Sequence, residues 1–266
     1  LFDASRMSMN LQLRRFNPKT MPDDAVCVFV GKRRTGKSQL LKDMMYHKRH
    51  IPAGVVLSGT EEGNSFFGGF VPDLFVYGDY DKEALERVVG RQKQMLAAKK
   101  CQPAFVVLDD CMYNPSFLKD KIIRQCFMNG RHWKLWFALT LQYSMDLPPS
   151  LRANCDYVFV LRENVLANRE RLWKNFFGIV PTFDMFCKIL DATTENYECL
   201  VLDNTSKSNK LTDCIFYYKA DLRKNFRVGS PKFWSIHKRM YNPSHAAQED
   251  PRKADKKTAL KITKKK

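Results

Sequence analysis

The stretch Val26-Cys27-Val28-Phe29-Val30-Gly31-Lys32-Arg33-Arg34-Thr35-Gly36-Lys37-Ser38-Gln39 runs from five apolar residues into a glycine-framed basic loop. From Gly31 to Ser38 it fits GxxxxGK[ST] at every position, with helix-compatible sequence following. Glycines at 31 and 36 allow a loop whose backbone N–H groups converge on phosphate oxygens. The helix behind adds its positive N-terminal end. Gly31, Lys32, Arg33, Arg34, Thr35, Gly36, Lys37, Ser38 and Gln39 are thus the expected nucleotide-binding segment. Lys37 is placed to reach the β- and γ-phosphates, and the Ser38 hydroxyl to ligate Mg²⁺. A strand–helix turn that binds nothing is the bland alternative, and the complete pattern in this context disfavours it.

Hydrolysis of ATP also needs a carboxylate at the end of a neighbouring buried strand. Phe105-Val106-Val107-Leu108-Asp109-Asp110 supplies two. Asp109 is expected to hold the Mg²⁺ hydration shell, and Asp110 to orient or deprotonate the attacking water. Taken alone, an acidic pair after an apolar run is as often a plain polar strand end. A third run, Leu135-Trp136-Phe137-Ala138-Leu139-Thr140-Leu141, ends in the amide of Gln142. In the additional-strand class of P-loop ATPases such a strand lies between the loop strand and the acidic strand. Gln142 is therefore expected between Lys37 and Asp110, as a sensor of the γ-phosphate.

Outward from these motifs, short apolar runs alternate with helical patterns. Strands are expected at 26–30, 55–57, 105–108, 135–141 and 157–161, and helices at 37–47, 82–99 (capped by Asp81) and 116–127 (capped by Ser116). Continuous apolar strands interleaved with helices indicate a parallel sheet buried on both faces, so the class is α/β. Beyond residue 164 two helical stretches precede strand-like runs at 197–202 and 214–218, which read as a β-hairpin appended to the sheet. The expected organisation is an N-terminal extension over 1–23, a P-loop ATPase domain over 24–242 that includes the appended helices and hairpin at 164–220, and a disordered basic tail over 243–266.

The 266 residues carry 45 Lys and Arg against 28 Asp and Glu, a net charge of +17. Residues 252–266 hold eight Lys/Arg against one Asp, yet the rest of the chain is basic in its own right. Such an excess points to a polyanion. No apolar run approaches the roughly 18 residues of a membrane span, so no membrane insertion is expected, and residues 1–13 show no leader-like segment. The eight cysteines form no CxxC pair and no cluster with the five histidines, as in reduced, mostly buried thiols.

Three blocks together resemble a known family: GKRRTGKS, then FVVLDD, then Asn129-Gly130-Arg131-His132-Trp133 with Leu139-Thr140-Leu141-Gln142-Tyr143 and Pro148-Pro149-Ser150-Leu151-Arg152-Ala153-Asn154. The chain resembles the poxvirus-type genome-packaging ATPase of nucleocytoplasmic large DNA viruses, within the FtsK–HerA superfamily of DNA translocases. The likeness covers residues 24–234. It implies a RecA-like ATPase of the additional-strand class that hydrolyses ATP with Mg²⁺. It also implies an oligomeric ring that drives double-stranded DNA into a capsid, with capsid or portal components as possible partners. The setting it implies is the virion and the cytoplasmic virus factory rather than the nucleus. Lys37 and Ser38 match the nucleotide-binding positions, Asp109 and Asp110 the acidic strand end, and Gln142 the sensor. Many relatives in the superfamily have Glu where Asp110 stands, and the shorter side chain sets its carboxylate about 1.5 Å further back. A ring motor completes its site with an arginine from the next subunit. Arg152 and Arg131 are the candidates, Arg152 preferred.

Contacts to DNA are expected on phosphate rather than bases, because a motor passes any sequence. Lys48–Arg49, Arg91–Lys93, Lys99–Lys100 and Lys119–Lys121 are basic stretches available for them. The competing readings are a cellular or plasmid-type DNA pump of the same superfamily, a P-loop nucleoside or metabolite kinase, and an ATP-binding scaffold without turnover. The absence of an NKxD motif disfavours a GTPase.

Overall fold

The computed structural model describes residues 11–61, 65–111, 115–143 and 147–242. The expected basic tail lies outside them. Among the described residues, nine strands form one sheet: β1 (Arg14–Arg15), β2 (Val26–Val30), β3 (Ala53–Ser58), β4 (Val76–Tyr77), β5 (Ala104–Asp109), β6 (Leu135–Leu141), β7 (Tyr157–Val160), β8 (Glu198–Asp203) and β9 (Ile215–Lys219), in the order β1-β9-β8-β7-β2-β6-β5-β3-β4. The strands from β7 to β4 in that order are all parallel, whereas β8 runs antiparallel to both β7 and β9. The α/β class and the expected hairpin both stand, with β8 and β9 continuing the main sheet. The strand carrying Gln142 at its end lies between the loop strand and the acidic strand, as expected.

Alternation along β2 explains why the sheet is covered twice. Val26, Val28 and Val30 face one apolar cluster with Leu85, Ile123, Phe127 and Phe186, which the helices Lys82–Ala97, Lys121–Asn129 and Phe183–Thr193 supply. Cys27 and Phe29 face the other cluster, with Leu41 and Met44 of α1 (Lys37–His47) and Phe233 of the helix Pro231–Met240. Every residue of β2, β5 and β6 is buried. This period of two inside an unbroken apolar run is the mark of a strand buried on both faces.

Two details differ from expectation. Asp81 caps the helix Lys82–Ala97 by accepting from the Ala84 N–H at 2.8 Å, but Ser116 does not begin the next helix. Burial of Phe117 and Leu118 winds Pro115–Lys119 into a 3₁₀ turn, and the α-helix starts at Lys121. Part of the N-terminal extension belongs to the sheet: Arg14–Arg15 pairs with β9, and Phe16 is buried against Tyr157 and Phe159. Two exposed arginines carry no strand pattern, which hid β1 from the sequence reading.

Candidate functional site

The phosphate-binding loop leaves β2 at Gly31 and enters α1 at Lys37. Gly36 has φ +99°, a left-handed conformation that L side chains resist. A Cβ on Gly31 would lie 2.8 Å from the Thr35 hydroxyl and 3.0 Å from Leu161. Both glycines are therefore required by geometry. Thr35 closes the loop by donating to the Lys32 carbonyl at 2.7 Å. Buried Lys37 donates to the carbonyls of Gly31 at 2.5 Å and Lys32 at 3.3 Å. Burial lowers the pKa of its ammonium, while neighbouring Asp110 and Asp109 pull it back up.

Helix α1, which carries Lys37, Ser38 and Gln39, is anchored from behind. Fully buried Asp43 accepts from Tyr218 Oη at 2.5 Å and from Arg223 Nε at 2.6 Å. These bonds tie the helix to β9 and the segment after it.

The acidic residues meet the loop as the sequence reading expects, through an intermediary it did not single out. Thr140 Oγ1 donates to Asp109 Oδ1 at 2.8 Å and accepts the Asp110 N–H at 3.0 Å. Ser38 Oγ lies 3.3 Å from Asp109 Oδ2. Gln142 Nε2 donates to Asp110 Oδ1 at 2.9 Å. Asp110 itself has φ +51°, outside the ordinary range for a non-glycine residue. Burial raises the pKa of the Asp109 carboxyl and Asp110 adds to this, while the Thr140 and Ser38 hydroxyls and Lys37 oppose. Thr140 stands two residues before Gln142, so extended backbone sends both to one side, but its partners follow only from the register of β5 against β6.

Replacing Thr140 with Val keeps the shape but removes both bonds. It is expected to cost about 1–3 kcal/mol of stability, as for a buried polar group left unpaired, and to lower ATP turnover about tenfold. Denaturant unfolding and steady-state hydrolysis together test this. Unchanged values in both would show that Thr140 only fills space.

Glu163 is a second residue absent from the sequence reading. Its buried carboxylate accepts from Lys32 Nζ at 2.7 Å, from the Val165 N–H at 2.8 Å and from Asn168 Nδ2 at 3.1 Å. Burial pushes its pKa up, but these three donors outweigh it and hold the carboxyl below the ordinary glutamate value. A depressed carboxylate contributes stability that is complete above the unfolded-state pKa and lost as pH falls through the folded value. The stability difference between the wild type and Glu163→Gln should therefore be largest near neutrality and shrink below about pH 4.3. Denaturation midpoints measured across that interval test it, and a difference independent of pH would contradict it. Lys32 is thus committed to Glu163, whereas Arg33 and Arg34 remain exposed beside the loop.

Neither candidate arginine has a described contact with the phosphate loop of its own chain. Arg131 pairs with buried Asp156 through Nη2, with Nε 3.4 Å from Oδ2, and Asp156 also accepts the Val26 N–H. This contact lies at the start of β2, the opposite end of that strand from the loop, and gives Arg131 a structural duty. Half-buried Arg152 ends the short helix Pro149–Arg152 and donates to the Leu147 carbonyl at 2.9 Å. Of the basic stretches, Lys48 is withdrawn as a DNA contact: it is buried, bound to the Met21 carbonyl and to Asp23. Arg91, Lys93, Lys99, Lys100, Lys119 and Lys121 are exposed.

The chain is 35% identical over 244 residues to protein L437 of Acanthamoeba polyphaga mimivirus, covering 88% of this chain and 86% of that one. It is 38% identical to protein 088R of Invertebrate iridescent virus 3, covering 80% and 81%. It is also 38% identical to protein 015R of Frog virus 3, covering 85% and 72%. The chain belongs to this family of nucleocytoplasmic large DNA virus proteins. No protein-family profile matches it. Among solved structures, the genome packaging NTPase B204 of Sulfolobus turreted icosahedral virus 2, in complex with AMPPCP, superposes with a TM-score of 0.55 at 21% identity, over 76% of this chain and all of that one. B204 of Sulfolobus turreted icosahedral virus, described as a DNA-packaging ATPase, gives 0.52 at 20%, again over 76% and all. The family's fold is that of the P-loop ATPases.

Proposed function

We propose that the protein is an ATPase that drives double-stranded DNA into a viral capsid, acting as a ring of identical subunits. The observation that carries this reading is the meeting of Lys37 and Ser38 with Asp109, Asp110 and Gln142 at the ends of three adjacent strands. The likeness in fold to viral packaging ATPases, one of them bound to an ATP analogue, supports the choice among P-loop chemistries.

The residues do their work in sequence along the substrate. Backbone N–H groups of the loop hold the β-phosphate, and Lys37 swings from the Gly31 carbonyl to the β- and γ-phosphate oxygens. Ser38 and Asp109 present hard oxygen donors 3.3 Å apart, a set that suits Mg²⁺. When bound, the ion neutralises charge on the phosphate oxygens. Thr140 keeps Asp109 turned toward Ser38. Asp110 accepts the proton of the attacking water, and Gln142, bonded to Asp110, is placed to register loss of the γ-phosphate. Arg152 of a neighbouring subunit is the candidate to offset charge building on the leaving group.

A net +17 exceeds what the nucleotide loop uses, and phosphate contacts by exposed Lys and Arg grip any sequence equally. Capsid or portal components are the further partners proposed. No helix of the described residues is long and apolar enough to cross a membrane. The test is ATP hydrolysis by the purified full chain with and without linear duplex DNA. Hydrolysis should rise with duplexes of unrelated sequence, and the rise should fade steeply with salt. Phosphate transfer to a nucleoside, or indifference to DNA, would instead favour the kinase.

A further inference from the structure

A groove of about 480 Å³ opens beside the phosphate loop, lined by neither Asp109 nor Asp110 but with Glu198 at its edge. Arg33 and Arg34 of the loop form one wall. Arg162 and Asn164, which follow β7, and Asn196 and Tyr197, which precede β8, form the others. Its volume lies in the range of small-molecule sites. The polarity of a bound triphosphate follows from the strand order. Asp110 and Gln142 sit on the β5–β6 side of β2, so the γ-phosphate points there. The α-phosphate and the nucleoside must then leave on the β7–β8 side, where this groove lies.

Tyr197 is unusual in that setting. It is 73% exposed, although it immediately precedes a buried strand. Both it and Asn196 adopt left-handed backbone, with φ +64° and +50°. Two adjacent non-glycine residues in that region are strained, and here the strain holds the ring over the loop. Tyr197 Cδ1 lies 3.4 Å from where a Cβ on Gly36 would stand. An aromatic face is thus presented to solvent at the end of the phosphate cradle, with cationic side chains opposite. That is the arrangement by which proteins hold nucleic acid bases: stacking on a ring, aided by arginine.

We infer that Tyr197 is the platform for the base of the bound nucleoside triphosphate, in a groove completed by Arg33, Arg34 and Arg162. The inference rests on the nucleotide-binding reading above and adds the residue that senses the nucleoside rather than the phosphates. The test uses two probes with the full chain and Mg²⁺: ATP, and inorganic tripolyphosphate, which has the phosphates but no base. Calorimetric titration should show Tyr197→Ala weakening ATP about tenfold, a change within the range measured for base–aromatic stacking. Tripolyphosphate should bind this variant as it binds the wild type, and Tyr197→Phe should keep wild-type ATP affinity. In hydrolysis, Tyr197→Ala should raise KM and leave kcat near its original value. Unchanged ATP affinity would overturn the inference while leaving the phosphate loop in place. So would equal loss of both ligands, which would mean that Tyr197 merely packs on Gly36. A wild-type protein that bound neither probe would overturn both readings.

Discussion

Asp110→Asn is expected to bind ATP as the wild type does and to turn it over 10²–10⁴-fold more slowly, the range for loss of a positioned general base. The substitution is close to isosteric. The amide oxygen of Asn still accepts from Gln142 Nε2, as Asp110 Oδ1 does at 2.9 Å. The backbone N–H still reaches Thr140 Oγ1. What disappears is the capacity to take a proton, so an effect on kcat with binding preserved isolates that step. The shorter side chain sharpens the question, because its carboxylate is set back about 1.5 Å from the glutamate position. Single-turnover hydrolysis with parallel nucleotide titration measures both quantities. Turnover within tenfold of the wild type would remove Asp110 from proton transfer and leave it as a partner of Gln142.

The second large effect is expected at Lys37. Lys37→Ala should lower hydrolysis by at least about 10²-fold, since removal of one preorganised charge at a developing anion costs about 10²–10³ in rate. Nucleotide affinity should fall as well, because Lys37 meets the phosphates in ground and transition states alike. The fold should persist: among the described residues the ammonium bonds to carbonyls of its own loop, and Lys37 belongs to neither apolar cluster. Hydrolysis and thermal unfolding measured on one preparation separate the two effects. A variant that lost activity together with its cooperative transition would show Lys37 to be a structural residue.

How far the sequence discloses this molecule depends on whether a residue's role is local. The phosphate loop is a contiguous stretch whose glycines and lysine serve a single turn, so its spacing was readable. The acidic strand end and Gln142 were readable because unbroken apolar runs mark central strands and leave their polar ends conspicuous. Thr140 escaped notice because within β6 it looks like one more β-branched filler, and only the register of β5 against β6 brings it to Asp109 and Asp110. Glu163 and Tyr197 arrive from beyond β7 and from the turn before β8. Their link to the loop is a product of topology rather than of spacing. Arg131 shows the same limit from the other side: the recognisable block around it gives no sign of its pairing with buried Asp156 at the far end of β2.

The most direct test of the central claim is movement of duplex DNA coupled to ATP hydrolysis. A triplex-forming strand annealed to one end of a linear duplex reports any motor that travels along the DNA and strips it off. With ATP and Mg²⁺ the full chain should displace the third strand from duplexes of unrelated sequence. AMPPCP should support no displacement, and neither should Lys37→Ala with ATP. Brisk ATP hydrolysis on the same DNA with the triplex left intact would contradict the account.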